Sequence, residues 1–136
     1  MTTGDSGPMR ITGLDHLVLT VADVDETIRF YQRTLSLEAV TFGDGRRALA
    51  FGPSKINLHQ AGREFTPHAA RPTPGSADLC LVTTTPLDQV VGQLARAGVD
   101  VEQGPVPRTG ARGPMTSVYI RDPDDNLIEI ANYEQA

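Results

Sequence analysis

Along residues 14–21, LDHLVLTV, apolar and polar positions alternate, which sets Leu17, Leu19 and Val21 on one face of a strand and His16, Val18 and Thr20 on the other. Asp23 followed by Glu26 has the spacing of a capping box. Val24, Ile28, Tyr31 and Leu35 then recur as one apolar stripe and predict a helix. Beyond it, Leu37–Phe42, Arg47–Phe51 and Lys55–Gln60 are strand-like runs divided by Gly43-Asp-Gly45 and Gly52-Pro-Ser54, the pattern of an antiparallel meander. Ala61–Ser76, with three prolines, reads as a linker. The order then returns. Ala77–Thr83 predicts a strand, and Thr85 an N-cap with Pro86 in the first helical position. Leu87, Val90, Val91 and Leu94 form the next stripe, and Gly98 stops it. Val99–Glu102, Ser117–Arg121 and Asn126–Asn132 predict three more strands, with Gly104–Pro114 as a long loop interrupting the second meander, a kind of segment that is often functional.

The pattern therefore predicts an α+β fold of two tandem β-α-β-β-β modules, 14–60 and 77–133, joined by the Pro-rich linker and preceded by a loose polar tail over residues 1–10. Parity along each strand decides which side chains share a face. Leu17, Leu19, Ile56, Leu58, Leu79, Leu81, Ile128 and Ile130 pack on the helices. That turns His16, Asn57, His59, Asp78, Cys80 and Glu129 the other way. A charge or imidazole among aliphatics is costly to bury alone and favours a partner or an ion. A wet sheet face with ordinary solvated residues is the other reading, and pattern leaves both open. His68, in the linker, reads as a surface residue.

Composition narrows the partners. Twelve basic against seventeen acidic residues give a net charge of -5, with no basic stripe for nucleic acid or an anionic membrane. No run is long and apolar enough to span a bilayer, and the N-terminus lacks a signal-peptide core. The lone cysteine, Cys80, fits a reducing cytoplasm and reads as a small buried hydrophobe rather than a nucleophile.

The opening LDHLVLTV, the helix running from Phe30-Tyr31 to Leu37, and the closing RDPDDNLIEI of residues 121–130 resemble the vicinal oxygen chelate superfamily of glyoxalases, bleomycin-resistance proteins and extradiol dioxygenases. Ala48–Gly52, Ile56–His59 and Gly104–Gly113 are similar to the glyoxalase-domain-containing protein 5 group. The resemblance spans Ile11 to Tyr133. It implies two modules whose curled mixed sheets form metal-binding cups, with sites shared across a homodimer. It also implies one divalent ion per site (Fe, Mn, Ni or Zn), with ligands from the first and fourth strands of each module: His16, His59, Asp78 and Glu129. In metal-dependent bacterial glyoxalase I proteins the types at His59 and Asp78 are exchanged, and the shorter Asp78 ranks behind the other three.

Such an ion binds two adjacent oxygens of a small-molecule substrate and stabilises the charge that develops on them. The resemblance makes Glu129 the base of a glyoxalase-like lyase or isomerase whose substrate is small, oxygenated and in some relatives thiol-conjugated. Tyr119, on the penultimate strand, reads as a hydrogen-bond donor or as a packing residue, and Arg108 and Arg112, on the Gly/Pro loop, read equally as a clamp for an anionic group or as solvated loop residues. An extradiol-type dioxygenase is the enzymatic alternative, although such chains are typically twice as long and use a histidine where Asp78 stands. A metal-free small-molecule-binding protein of the bleomycin-resistance type is the other. Its cups are usually aromatic-rich, whereas this chain has no Trp, four Phe and three Tyr.

Overall fold

The computed structural model describes residues 7–134, and the part of the expected tail before residue 7 lies outside the described residues. Residues 7–15 form neither helix nor strand. The elements then run β1 (His16–Val21), α1 (Val24–Leu35), β2 (Glu38–Phe42), β3 (Arg46–Phe51), β4 (Ser54–Gln60), β5 (Asp78–Val82), α2 (Leu87–Arg96), β6 (Gln103–Gly110), β7 (Gly113–Arg121) and β8 (Leu127–Tyr133). They build two four-stranded sheets with the same order, β1-β4-β3-β2 and β5-β8-β7-β6. In each, the first strand pairs in parallel with the fourth across the helix, and the remaining pairs are antiparallel. This is the expected α+β pair of β-α-β-β-β modules.

The helix stripes and the inward strand positions meet in one apolar cluster that includes Leu19, Ile28, Tyr31, Ile56 and Leu58 from the first module and Leu87, Leu94, Ile128 and Ile130 from the second. Asp23 caps α1, its side chain accepting from the Glu26 N–H at 3.0 Å. At α2 the cap departs from expectation: Pro86 is the N-cap residue and no Thr85 hydroxyl serves it. The donor is satisfied from a distance instead. Asn132, at the end of β8, accepts from the Leu87 N–H at 3.0 Å and donates to the carbonyls of Thr83 and Thr85. Gln60, at the end of β4, does the same for α1, accepting from the Val24 N–H and donating to the Ala22 carbonyl. The repeat thus extends to its capping chemistry.

Two expectations are corrected in the second module. Val99–Glu102 is not a strand, and most of the supposed loop is β6, which continues through a two-residue turn into β7. The prolines concealed it. Pro105 and Pro107 are two apart, so both address the same side of the strand, and on the outer strand of a sheet that side needs no ladder partner. Gly104, at φ +109°, sits where a Cβ would strike the Ser117 carbonyl, beside the register shift between Gln103 and Val106.

The modules are joined by the Asp122–Asn126 turn between β7 and β8. Asp122 is buried and accepts from the Tyr31 hydroxyl at 2.7 Å, the Asp124 and Asn126 N–H groups and the Asn126 amide. Asp124 accepts from the Ala22 N–H at the end of β1, and its carboxyl is pushed above the usual range, first by desolvation. Asn126 accepts from the Ala77 N–H at the head of β5.

Candidate functional site

Each sheet turns its non-helix face outward, and the two faces carry different chemistry. On the first, β1 presents His16, Val18 and Thr20, and β4 presents Lys55, Asn57 and His59 in register with them. His16 is exposed, with Nδ1 2.8 Å from an Asp15 carboxylate oxygen. His59 is only 3% exposed. Its Nε2 lies 3.4 Å from Arg46 Nη2, the Phe65 ring from the linker packs edge-on at 5.5 Å, and its buried Nδ1 has no hydrogen-bond partner. Burial and the Arg46 charge lower the His59 pKa, so the neutral ring is favoured. His16 and His59 stand four residues apart along paired strands, roughly 13 Å at the ordinary strand rise.

On the second sheet, Cys80, Glu129 and Tyr119 lie side by side across β5, β8 and β7. Arg108, from β6, lies along this face and donates from Nε to the Tyr119 hydroxyl at 2.8 Å, leaving the phenol proton free to be donated elsewhere. Asp78 is exposed at the head of β5, two residues from Cys80. Arg112 does not join them. It sits at the β6–β7 turn with its guanidinium 4.4 Å from the centre of the Tyr133 ring and its N–H bonded to the Tyr133 hydroxyl. Cys80 is also corrected: it is exposed on this face rather than buried in the core. Its thiol is pushed up to about 11 by partial desolvation and the Glu129 charge, and so stays protonated near neutrality.

The internal repeat adds what alternation alone misses. The β1–β4 and β5–β8 registers, superposed through the Gln60 and Asn132 caps, make His16 the counterpart of Asp78 and Asn57 the counterpart of Glu129. Asn57 is 5% exposed, and its Oδ1 is buried without a hydrogen-bond partner. Glu129 Oε2 is in the same condition. Two fourth-strand positions related by the repeat each hold an orphan oxygen, a costly state for a buried acceptor. Among the described residues of one chain, however, no three His, Cys, Asp or Glu side chains come together as a metal site.

Residues 13–130 match the model of the glyoxalase/bleomycin resistance protein/dioxygenase superfamily. The chain belongs to this superfamily. Within it, the chain is 57% identical to virulence protein STM3117 of Salmonella typhimurium over 129 residues, covering 95% of this chain and 90% of that protein. It is 52% identical to the glyoxalase domain-containing protein RDO1 of Mycosarcoma maydis, covering 94% of this chain and 72% of the relative. The crystal structure of the Salmonella protein superposes with a TM-score of 0.91, covering 93% of this chain and all (100%) of that one. A lactoylglutathione lyase from Agrobacterium tumefaciens, 20% identical, shares the superfamily fold at a TM-score of 0.70, covering 91% of this chain and 96% of the enzyme.

Proposed function

We propose that this superfamily member is a divalent-metal-dependent lyase or isomerase acting on a small oxygenated substrate, at a site shared between two copies of the chain. The observation that carries the reading is the pair of orphan oxygens, Asn57 Oδ1 and Glu129 Oε2, at equivalent places on the outward faces of the two sheets. Buried oxygens without donors suit a cation, and an imidazole with carboxylate and carboxamide oxygens suits Fe(II) or Mn(II). His16, Asp78 and Glu129, with Asn57 at the fourth position, are the residues that would hold it. His59, with Arg46 at its Nε2 and Phe65 against its ring, is the least accessible of the expected donors.

When bound, such an ion supplies Lewis-acid stabilisation of two adjacent substrate oxygens. The remaining work falls to the protein. Glu129 takes a proton from a carbon next to those oxygens and returns it to the neighbouring one. Tyr119 donates its hydroxyl proton as a hydrogen bond, held in place by Arg108. Arg108 also keeps a positive charge beside the developing anion. Cys80, its thiol pushed up by partial desolvation and the Glu129 charge, is assigned no role as a nucleophile.

Among the described residues no three donors cluster within one chain, and a metal-free binding protein is therefore the second reading. Metal analysis of untagged protein separates the two. The expected result is close to one Mn, Fe, Ni or Zn per chain, lost in His16→Ala and in Glu129→Gln while the circular dichroism spectrum stays unchanged. Protein free of metal after growth in each of these ions, with ligand binding indifferent to His16→Ala, overturns the enzymatic reading.

A further inference from the structure

The first sheet carries a second group on its outward face that the proposed chemistry does not use. Lys55, the single lysine of the sequence, leaves β4 and places Nζ 3.5 Å from the centre of the Phe42 ring on β2. Arg46, on β3 between them, places its guanidinium carbon 5.4 Å from the same ring and 4.5 Å from the Phe65 ring of the linker. Both cations are half-buried, and neither has a carboxylate within ion-pairing distance among the described residues. Their neighbours on this face are the half-buried Val40 and Ala50, the fully buried Ala48 and, across from Ala50, the exposed Glu38, which lies beyond ion-pairing distance of both cations.

A chain with net charge -5 has acids to spare, yet two like charges converge here on one phenyl ring. Ring faces attract cations by about 0.5–2 kcal/mol, but they do not neutralise them. Partial burial raises the cost of leaving such charges unpaired. Lys55 also lies directly beside His16 in the β1–β4 register, so an anion held here adjoins the proposed reaction site.

We propose that Arg46 and Lys55 form a carboxylate-binding subsite, so that the substrate is a small organic acid with its acid group between these side chains and its apolar body against Ala50 and Val40. The guanidinium is planar and suited to two parallel bonds with a carboxylate. The surrounding Phe42 and Phe65 rings favour a monoanion over the more strongly hydrated phosphate dianion. The location of the substrate rests on the proposed function, whereas the subsite itself requires neither metal nor turnover.

The single lysine supplies the probe. Reductive methylation with 13C-formaldehyde gives one lysine resonance, distinct from that of the N-terminal amine. It is titrated with a series of 2-hydroxy and 2-oxo carboxylic acids, each beside its neutral primary amide, and with inorganic phosphate. The expected result is a saturable shift with at least one acid, at least tenfold weaker binding of its amide and of phosphate, and at least tenfold weaker binding of that acid to Arg46→Met. Arg46→Lys, which keeps the charge, recovers part of the affinity and guards against a folding defect. The subsite is overturned by equal shifts with acids and amides, by binding indifferent to Arg46, or by Arg46 and Lys55 being ion-paired with carboxylates of a second copy in the dimer. Preferential binding of phosphate also rejects the carboxylate. Repeating the titration on chelator-treated protein separates the two ideas: acid binding that persists without metal supports the subsite even if the metal reading fails.

Discussion

At the scale of single residues, His59 has the most direct consequence for solution behaviour. Its ring is buried against Arg46 and Phe65, and both burial and the neighbouring guanidinium oppose its protonation. The unfolded chain therefore binds a proton at this residue at a higher pH than the folded one. Linkage makes the folded state lose stability as pH falls below about 6.5, with the full contribution present above that value. Urea denaturation from pH 7.5 to 5 is expected to show this decline, and His59→Gln to flatten it. A wild-type profile with the same slope as the variant's refutes the assignment. His59 also marks the limit of what the sequence discloses about the site. Alternation places Asn57 and His59 on one face, and a slip of two residues preserves parity. Only the β1–β4 and β5–β8 registers, aligned through the Gln60 and Asn132 caps, show that Asn57 is the counterpart of Glu129. The Arg46–Phe42–Phe65 group was equally hidden, because it joins two strands and a linker with no periodicity between them.

At the scale of elements, both helices begin under the control of residues far away in the chain. Gln60 reaches back to Val24 and Ala22, and Asn132 to Leu87, Thr83 and Thr85. Removing such bonds from partly buried groups costs about 1 kcal/mol or somewhat more each, less what water restores. Gln60→Ala is expected to destabilise by about 1 kcal/mol and Asn132→Ala by about 2 kcal/mol, measured by chemical denaturation, with each loss largest in the hydrogen-exchange protection of its own helix. Uniform loss of protection across the molecule contradicts a capping role. The element order was legible because hydrophobic period changes between helix and strand. The edge strand β6 was not, because its Gly and Pro content is the usual mark of a loop and its prolines are tolerated only through their place at the sheet margin.

At the scale of the whole molecule, the repeat explains why the candidate residues are scattered along the sequence, and the proposed shared site makes a prediction about the exposed faces. Val18 on β1 and Val82 on β5 are 43% and 52% exposed on the polar faces of their sheets, alongside His16 and Asp78. Apolar side chains so placed suit coverage by a second copy, which would bring the two unlike faces together. Light scattering is expected to give a dimer, and the double variant Val18→Asp with Val82→Asp a folded monomer with diminished metal content. A wild-type monomer that retains stoichiometric metal refutes the shared site. The turn from Asp122 to Asn126 has a different kind of consequence. It belongs to one of the segments by which the chain resembles its superfamily, yet its side chains are engaged with Tyr31, Ala22 and Ala77. A descendant could exchange its reaction and keep this turn unaltered. Sequences compared through it are sorted by ancestry and not by substrate, and a search for chains that share the proposed chemistry should weigh Asn57, Lys55 and Arg46 instead.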